Sequence, residues 1–145
     1  MEVKRYLKSL GLDPDIIEEV SISKSLVDKF PWKGIIFVGG RNHLNKTMSL
    51  CKMILETKTI FGSIDHLESW ETGQYKVDHS SCALLVITNI SKGLYFDNNL
   101  ITELNQAFIK EVPILLTSCN EIEELEKEAS KTLISVIEPY LTGMI

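Results

Sequence analysis

The chain has 145 residues, 44% hydrophobic and 24% charged, enough for one soluble domain that buries roughly two-thirds of its unfolded surface without staples. A formal net charge of −5 and a pI of about 5.2 argue against a sequence-wide basic footprint for nucleic acid or an anionic membrane, leaving only a local patch open. No apolar run approaches the roughly 18 residues of a membrane span, and MEVKRYLKSLGLD carries charges where a signal peptide needs its apolar stretch.

The first thirty residues read as a helical extension, with the α/β domain expected over 31–145. Val3, Tyr6, Leu7 and Leu10 have helical spacing, and Gly11 stops the helix. Asp13-Pro14-Asp15 opens a second helix through Ile16, Ile17 and Val20, and a third segment, Ser23–Phe30, stops at Pro31. Strands and helices then alternate. Gly34–Val38 is a short apolar run closed by Gly39-Gly40, the mark of a strand buried on both faces. Asn45–Glu56 predicts a helix, Lys58–Ile64 a weaker strand, Asp65–Trp70 a helix and Thr72–Asp78 a loop. Cys82–Ile87 is a second buried strand, Asn98–Lys110 a helix and Val112–Leu116 a third strand, with Pro113 tolerable near its start. Glu121–Ser130 predicts an acidic helix and Leu133–Ile137 a last apolar strand.

This alternation predicts an α/β fold: a three-layer, doubly wound, mostly parallel sheet of about five strands with helices on both faces, preceded by short N-terminal helices. Ligands of such sheets sit at the carboxyl ends of the strands. Those ends are Gly39-Gly40-Arg41-Asn42, Thr88-Asn89, Thr117-Ser118 and, on this reading, Glu138-Pro139.

The loop after the first strand is the most informative. Gly40, four residues, then Asn45-Lys46-Thr47 has the phosphate-loop spacing G-x-x-x-x-G-K-[ST], with Asn45 in place of the second glycine. That chemistry needs backbone N–H groups curled around phosphates at a helix N-terminus, a lysine for the terminal phosphate oxygens and a hydroxyl for Mg²⁺. Lys46 and Thr47 are in place between a buried strand and a helix. Asn45 departs from the motif, and Arg41 and His43 are bulky for such a loop. Nucleotide hydrolysis also needs an acid at the end of another buried strand. The strand ALLVI ends in Thr88-Asn89, with no carboxylate before Asp97. An amide cannot act as a base.

The stretches SLGLDPDIIEEV, LVDKFPWKGIIFVGGRNHLNKTMSLCKMIL and ITELNQAFIKEVPILLTSCN together resemble a reduced P-loop NTPase domain. The resemblance is to the RecA-like core of type II secretion and type IV pilus ATPases, and FPWKGIIFVGG, NKT and PILLTSCN are also similar to viral superfamily 3 helicases. It implies that Gly39 and Gly40 set the loop, that Asn45, Lys46 and Thr47 meet phosphate and Mg²⁺, and that Asn89 and Thr117 line the site, Thr117 as a sensor-like residue. The acidic boxes of the family are missing. A second resemblance is to response-regulator receiver domains, whose functional positions fall on Gly39-Gly40, Asn89, Thr117 or Ser118 and Glu138-Pro139. The acidic pair, the phosphoacceptor and the lysine are all replaced, so this would be a pseudo-receiver. The strand order separates the two: receivers place the second strand beside the first, whereas RecA-like cores insert a later one.

His43, His66 and His79 have no metal-ligand spacing, Ser80-Ser81 beside Asp78-His79 reads as a polar turn, and Trp32 and Trp70 read as packing residues. Cys51, Cys82 and Cys119 form no metal-type pair and read as buried thiols in a reducing cytoplasm. The expectation is a cytoplasmic, catalytically impaired P-loop-like domain that binds a protein partner. It carries at most weak affinity for ATP with Mg²⁺, with no catalytic residue and no resident metal. The alternative is a pseudo-receiver interaction domain.

Overall fold

The computed structural model describes residues 3–67, 78–90, 98–121, 123–124, 127 and 131–145. Helix α1 (Val3–Ser9) and the short α2 (Lys24–Asp28) lead into β1 (Ile35–Gly39) and α3 (His43–Thr57). Then come β2 (Ser63–Leu67), β3 (Cys82–Ile90), α4 (Asn98–Ile109), β4 (Ile114–Ser118) and α5 (Lys131–Ile137). A 3₁₀ turn, Glu138–Tyr140, delivers the chain into β5 (Leu141–Met144).

The five strands form one sheet in the order β2-β3-β4-β1-β5, and every neighbouring pair runs parallel. Side chains alternate between two cores, because successive residues of a strand point to opposite faces. Ile35, Phe37, Leu85, Ile87, Ile114 and Leu116 meet Leu100, Leu104 and Ala107 of α4 and Leu133 and Ile137 of α5. Ile36, Val38, Leu84, Val86 and Leu115 meet Met48, Leu50, Cys51 and Ile54 of α3 and, from the first thirty residues, Leu7, Leu10, Leu12, Leu26, Val27 and Phe30. Two side chains fix the outer layer further: the Tyr6 hydroxyl accepts the Ile64 N–H at 3.1 Å, and Trp32 Nε1 donates to the Ile114 carbonyl at 3.3 Å.

The doubly wound parallel architecture is the expected one, and the strand order selects between the two resemblances. β1 is flanked by β4 and β5, not by β2, so the receiver arrangement is not that of this chain. Four element assignments are corrected. LISVI is the core of helix α5, whose buried residues Leu133 and Ile137 lie four apart on one helical face. The last strand is Leu141–Met144, and Glu138-Pro139 sits at its amino end. Ser63–Leu67 is strand β2, which overlaps the expected helix Asp65–Trp70 and starts later than the expected strand Lys58–Ile64. Asp13–Ile17 makes one turn, with the Asp13 carbonyl accepting the N–H groups of Ile16 and Ile17, and does not continue as a helix. Residues 68–70, the expected loop 72–77 and part of the acidic helix 121–130 lie outside the described residues; Glu123, Glu124 and Lys127 are helical. No helix among the described residues is long and apolar enough to cross a membrane.

Leu7 is fully buried against α3 and the sheet. Leu7→Ala is expected to lower the stability of the whole domain by about 2–5 kcal/mol, read as a fall in the urea midpoint at constant slope. A negligible loss would make α1 an appendage.

Candidate functional site

The connections of the sheet define one crevice. The chain leaving β1 passes over the α1–α3 face toward β2, whereas the chain leaving β4 passes over the α4–α5 face toward β5. β1 and β4 are neighbours, in register at Val38 with Thr117 and Gly39 with Ser118. Their carboxyl ends therefore form a topological switch point, where open α/β sheets place their ligands.

Two glycines let the turn after β4 settle onto this point. A Cβ on Gly39 would lie 2.8 Å from the Asn120 carbonyl and 2.7 Å from Phe37 Cε1, closer than real atoms approach. Gly40 adopts φ +97°, which side-chain-bearing residues rarely accept. Its N–H donates to the Asn120 carbonyl at 3.3 Å, and a Cβ there would meet Glu121 Oε1 at 2.6 Å. On the other side of β1, the Gly39 N–H donates to the Ile145 carbonyl at 3.1 Å and the Ile145 N–H to the Phe37 carbonyl at 2.9 Å, so β1 is paired to its end.

Helix α3 begins at His43, three residues ahead of Lys46, so Asn45, Lys46 and Thr47 lie within its first turns rather than at its mouth. Each of the three side chains has an internal partner. Asn45 Nδ2 donates to the Glu18 carbonyl at 2.8 Å. Thr47 is fully buried, and its hydroxyl donates to the His43 carbonyl four residues back at 2.8 Å. Lys46 Nζ curls toward the sheet and donates to the Gly39 carbonyl at 3.1 Å. The loop between β1 and α3 is left with Gly40, Arg41 and Asn42.

His43 and Thr117 add two buried polar groups. His43 is buried, and its Nδ1 faces the Gly40 carbonyl at 2.9 Å. A carbonyl only accepts, so Nδ1 carries a proton. Among the described residues, neither His43 Nε2 nor the buried hydroxyl of Thr117 has a hydrogen-bond partner. One strand over, the Thr88 hydroxyl lies 2.7 Å from His66 Nε2, and Asn89 follows it along β3.

The sequence-nominated residues thus separate. Gly39, Gly40, Lys46 and Thr117 gather at the switch point. Asn45 and Thr47 belong to α3's own bonding, and Asn89 stands on β3, beyond β4. His43, Asn120 and Glu121 were not nominated. Their signal is topological: once β4 is known to lie beside β1, the residues after Ser118 must face the loop after Gly39.

No protein-family model matches the chain, and no curated protein matches it. Solved structures do. A protein assigned as a primosome component from Streptococcus pyogenes serotype M3 superposes with a TM-score of 0.60 at 16% identity, over 84% of this chain and 74% of that one. Domain III of the replication initiation protein DnaA from Thermotoga maritima gives 0.58 at 14% identity, over 84% and 58%. AMPPCP-bound DnaA from Aquifex aeolicus gives 0.59 at 14% identity, over 92% and 50%. The chain spans between half and three-quarters of these neighbours, and at such identities the likeness is one of fold. What is shared is the fold, in this chain a five-stranded parallel sheet with helices on both faces.

Asn45→Ala removes the bond to Glu18 and is expected to cost about 1 kcal/mol in urea unfolding; no loss would show that the carboxamide does not hold that segment. Burial pushes the thiols of Cys51 and Cys82 up to about 12, whereas Cys119, just past β4, is exposed. A thiol reagent near neutral pH is expected to label Cys119 alone in the folded protein and all three cysteines in urea. Fast native labelling of Cys51 would contradict this packing.

Proposed function

We propose that the chain is a catalytically impaired, P-loop-shaped domain that works as an accessory, protein-binding module. The setting we propose is an assembly like those of its replication-initiation and primosome neighbours. One observation carries the reading: the lysine and hydroxyl that would serve a nucleotide are spent on the chain's own carbonyls, Lys46 on Gly39 and Thr47 on His43. The sequence of β3 adds that no carboxylate occurs between Cys82 and Ile90 to position Mg²⁺ or an attacking water. A phosphate bound at a helix N-terminus needs free N–H donors there. Here the first turn of α3 is already wound through the positions that would supply them.

AMPPCP, the nucleotide analogue in the Aquifex aeolicus structure, defines the test. Titration calorimetry with Mg-ATP is expected to give no saturable binding up to millimolar concentration, with Lys46→Ala indistinguishable from the unaltered chain. Micromolar binding that Lys46→Ala abolishes would overturn the reading and make the chain a nucleotide-dependent module.

A further inference from the structure

We infer that the amino-terminal pole of the sheet is a self-association surface: two copies of this chain pair about a two-fold axis, Tyr140 of each entering a hollow at the end of α4 in the other. The inference rests on the protein-binding part of the reading above and gives it a partner. It uses none of the switch-point residues.

Every neighbouring pair of strands is parallel, so the residues that precede the strands gather at one pole, opposite the switch point. The hollow lies there, with a volume of about 300 Å³. Asp78, His79 and Ser80, before β3, form one wall, and Gln106, Ile109 and Lys110, at the end of α4, form the other. The walls are tied to each other, since His79 Nε2 lies 3.0 Å from Glu103 Oε2 of α4 in side chains only 8% and 14% exposed. Asp78 braces its own turn, its carboxylate accepting the Ser80 N–H at 3.1 Å and the Ser81 hydroxyl at 3.0 Å. The hollow is therefore preformed, which lowers the ordering cost of filling it.

A knob stands beside the hollow. Tyr140, in the turn that leads into β5, stacks its ring on Phe108 of α4 with centroids 3.8 Å apart and planes 9° apart, yet it stays 45% exposed. Ile109, next along α4 and part of the hollow's wall, is 78% exposed. Phe108 packs against the core on its other side, so both side chains are presented on a rigid support. Adjoining exposed apolar side chains mark interaction surfaces, and an aromatic anchor filling a partner's pocket carries much of the energy at such contacts.

A knob and a hole side by side on one surface suit a second copy, because a two-fold axis delivers each knob to the other's hole. Charge selects the same occupant. Lys110 stands at the hollow and Glu138 lies two residues before Tyr140, both exposed, and neither belongs to an ion pair among the described residues. With Tyr140 inserted, Glu138 of one copy approaches Lys110 of the other, twice in each dimer. A chain of net charge −5 repels its own copies, and these two opposite-charge pairs offset that repulsion at the contact.

Sedimentation velocity of the full chain, from about micromolar to about millimolar protein, reads the association directly. At low salt, where exposed ion pairs are least screened, the expected result is a reversible dimer of twice the 16.4 kDa chain mass. Ile109→Asp and Tyr140→Ser are each expected to weaken it at least about tenfold, with circular dichroism and thermal midpoint unchanged for Ile109→Asp. Glu138→Lys and Lys110→Glu are each expected to weaken it at least about threefold. An equimolar mixture of E138K and K110E is expected to restore it, since the mixed dimer has an opposite-charge pair at both contacts. A chain that stays monomeric at millimolar concentration overturns the inference and leaves the protein-binding role to a different partner. A dimer that survives Ile109→Asp uses another face and overturns it too, as does a mixture no tighter than either charge variant alone. None of these outcomes reads nucleotide binding, so the closed-loop reading is judged by the Mg-ATP titration alone.

Discussion

The contact between Gly39-Gly40 and the turn leaving β4 governs this end of the molecule. Backbone meets backbone there because neither glycine has a Cβ, and the Asn120 carbonyl occupies space that any side chain on Gly39 would need. That approach lets β4 pair with β1 as far as Gly39 and Ser118. It also brings Glu121 onto Gly40 and leaves a three-residue link to α3. A glycine pair after a buried strand has two physical uses: to let a backbone approach a phosphate, or to let a backbone approach another backbone. In this chain the second use is satisfied within the fold.

α3 is the element on which the rest of that face is assembled. Asn45, Ser49 and Lys52 lie at successive four- and three-residue steps along one helical stripe. They bind, in turn, the Glu18 carbonyl, the Val20 N–H and the Glu19 carboxylate. The segment before α2 is thereby laced along the helix while Leu7, Leu10 and Leu12 fill the space beneath it. Individually such exposed bonds contribute about 1 kcal/mol or less, so the apolar burial supplies most of the energy and the laces set the register. The residue that departs from the phosphate-loop pattern, Asn45, is the first of these laces.

Much of the fold was legible in the sequence because its central strands are buried on both faces and read as unbroken apolar runs. GIIFV, CALLVI and VPILL each overlap a strand, β1 from Ile35, β3 from Cys82 and β4 from Ile114. LISVI misled for the same reason. Five apolar residues fit a buried strand or the buried turn of a helix equally well, and only the spacing of Leu133 and Ile137 against α4 settles it. Ser63–Leu67 escaped in the opposite sense, since an edge strand carrying Asp65 and His66 has little apolar signature. At the site, the spacing from Gly40 to Thr47 was legible but the start of the helix was not. Between Gly40 and Thr47 no glycine or proline interrupts the chain. Nothing local prevents α3 from winding back to His43.

Charge then takes a different meaning from the one composition suggests. The sequence places no carboxylate on the ends of β1, β3 or β4, and Glu138, which seemed the exception, belongs to the turn that begins β5. Yet a carboxylate reaches the switch point, supplied by the turn after β4 rather than by a strand. An acid on a strand end is placed to hold a metal ion beside a phosphate. The acid that lies over Gly40 packs instead against the loop leading into α3.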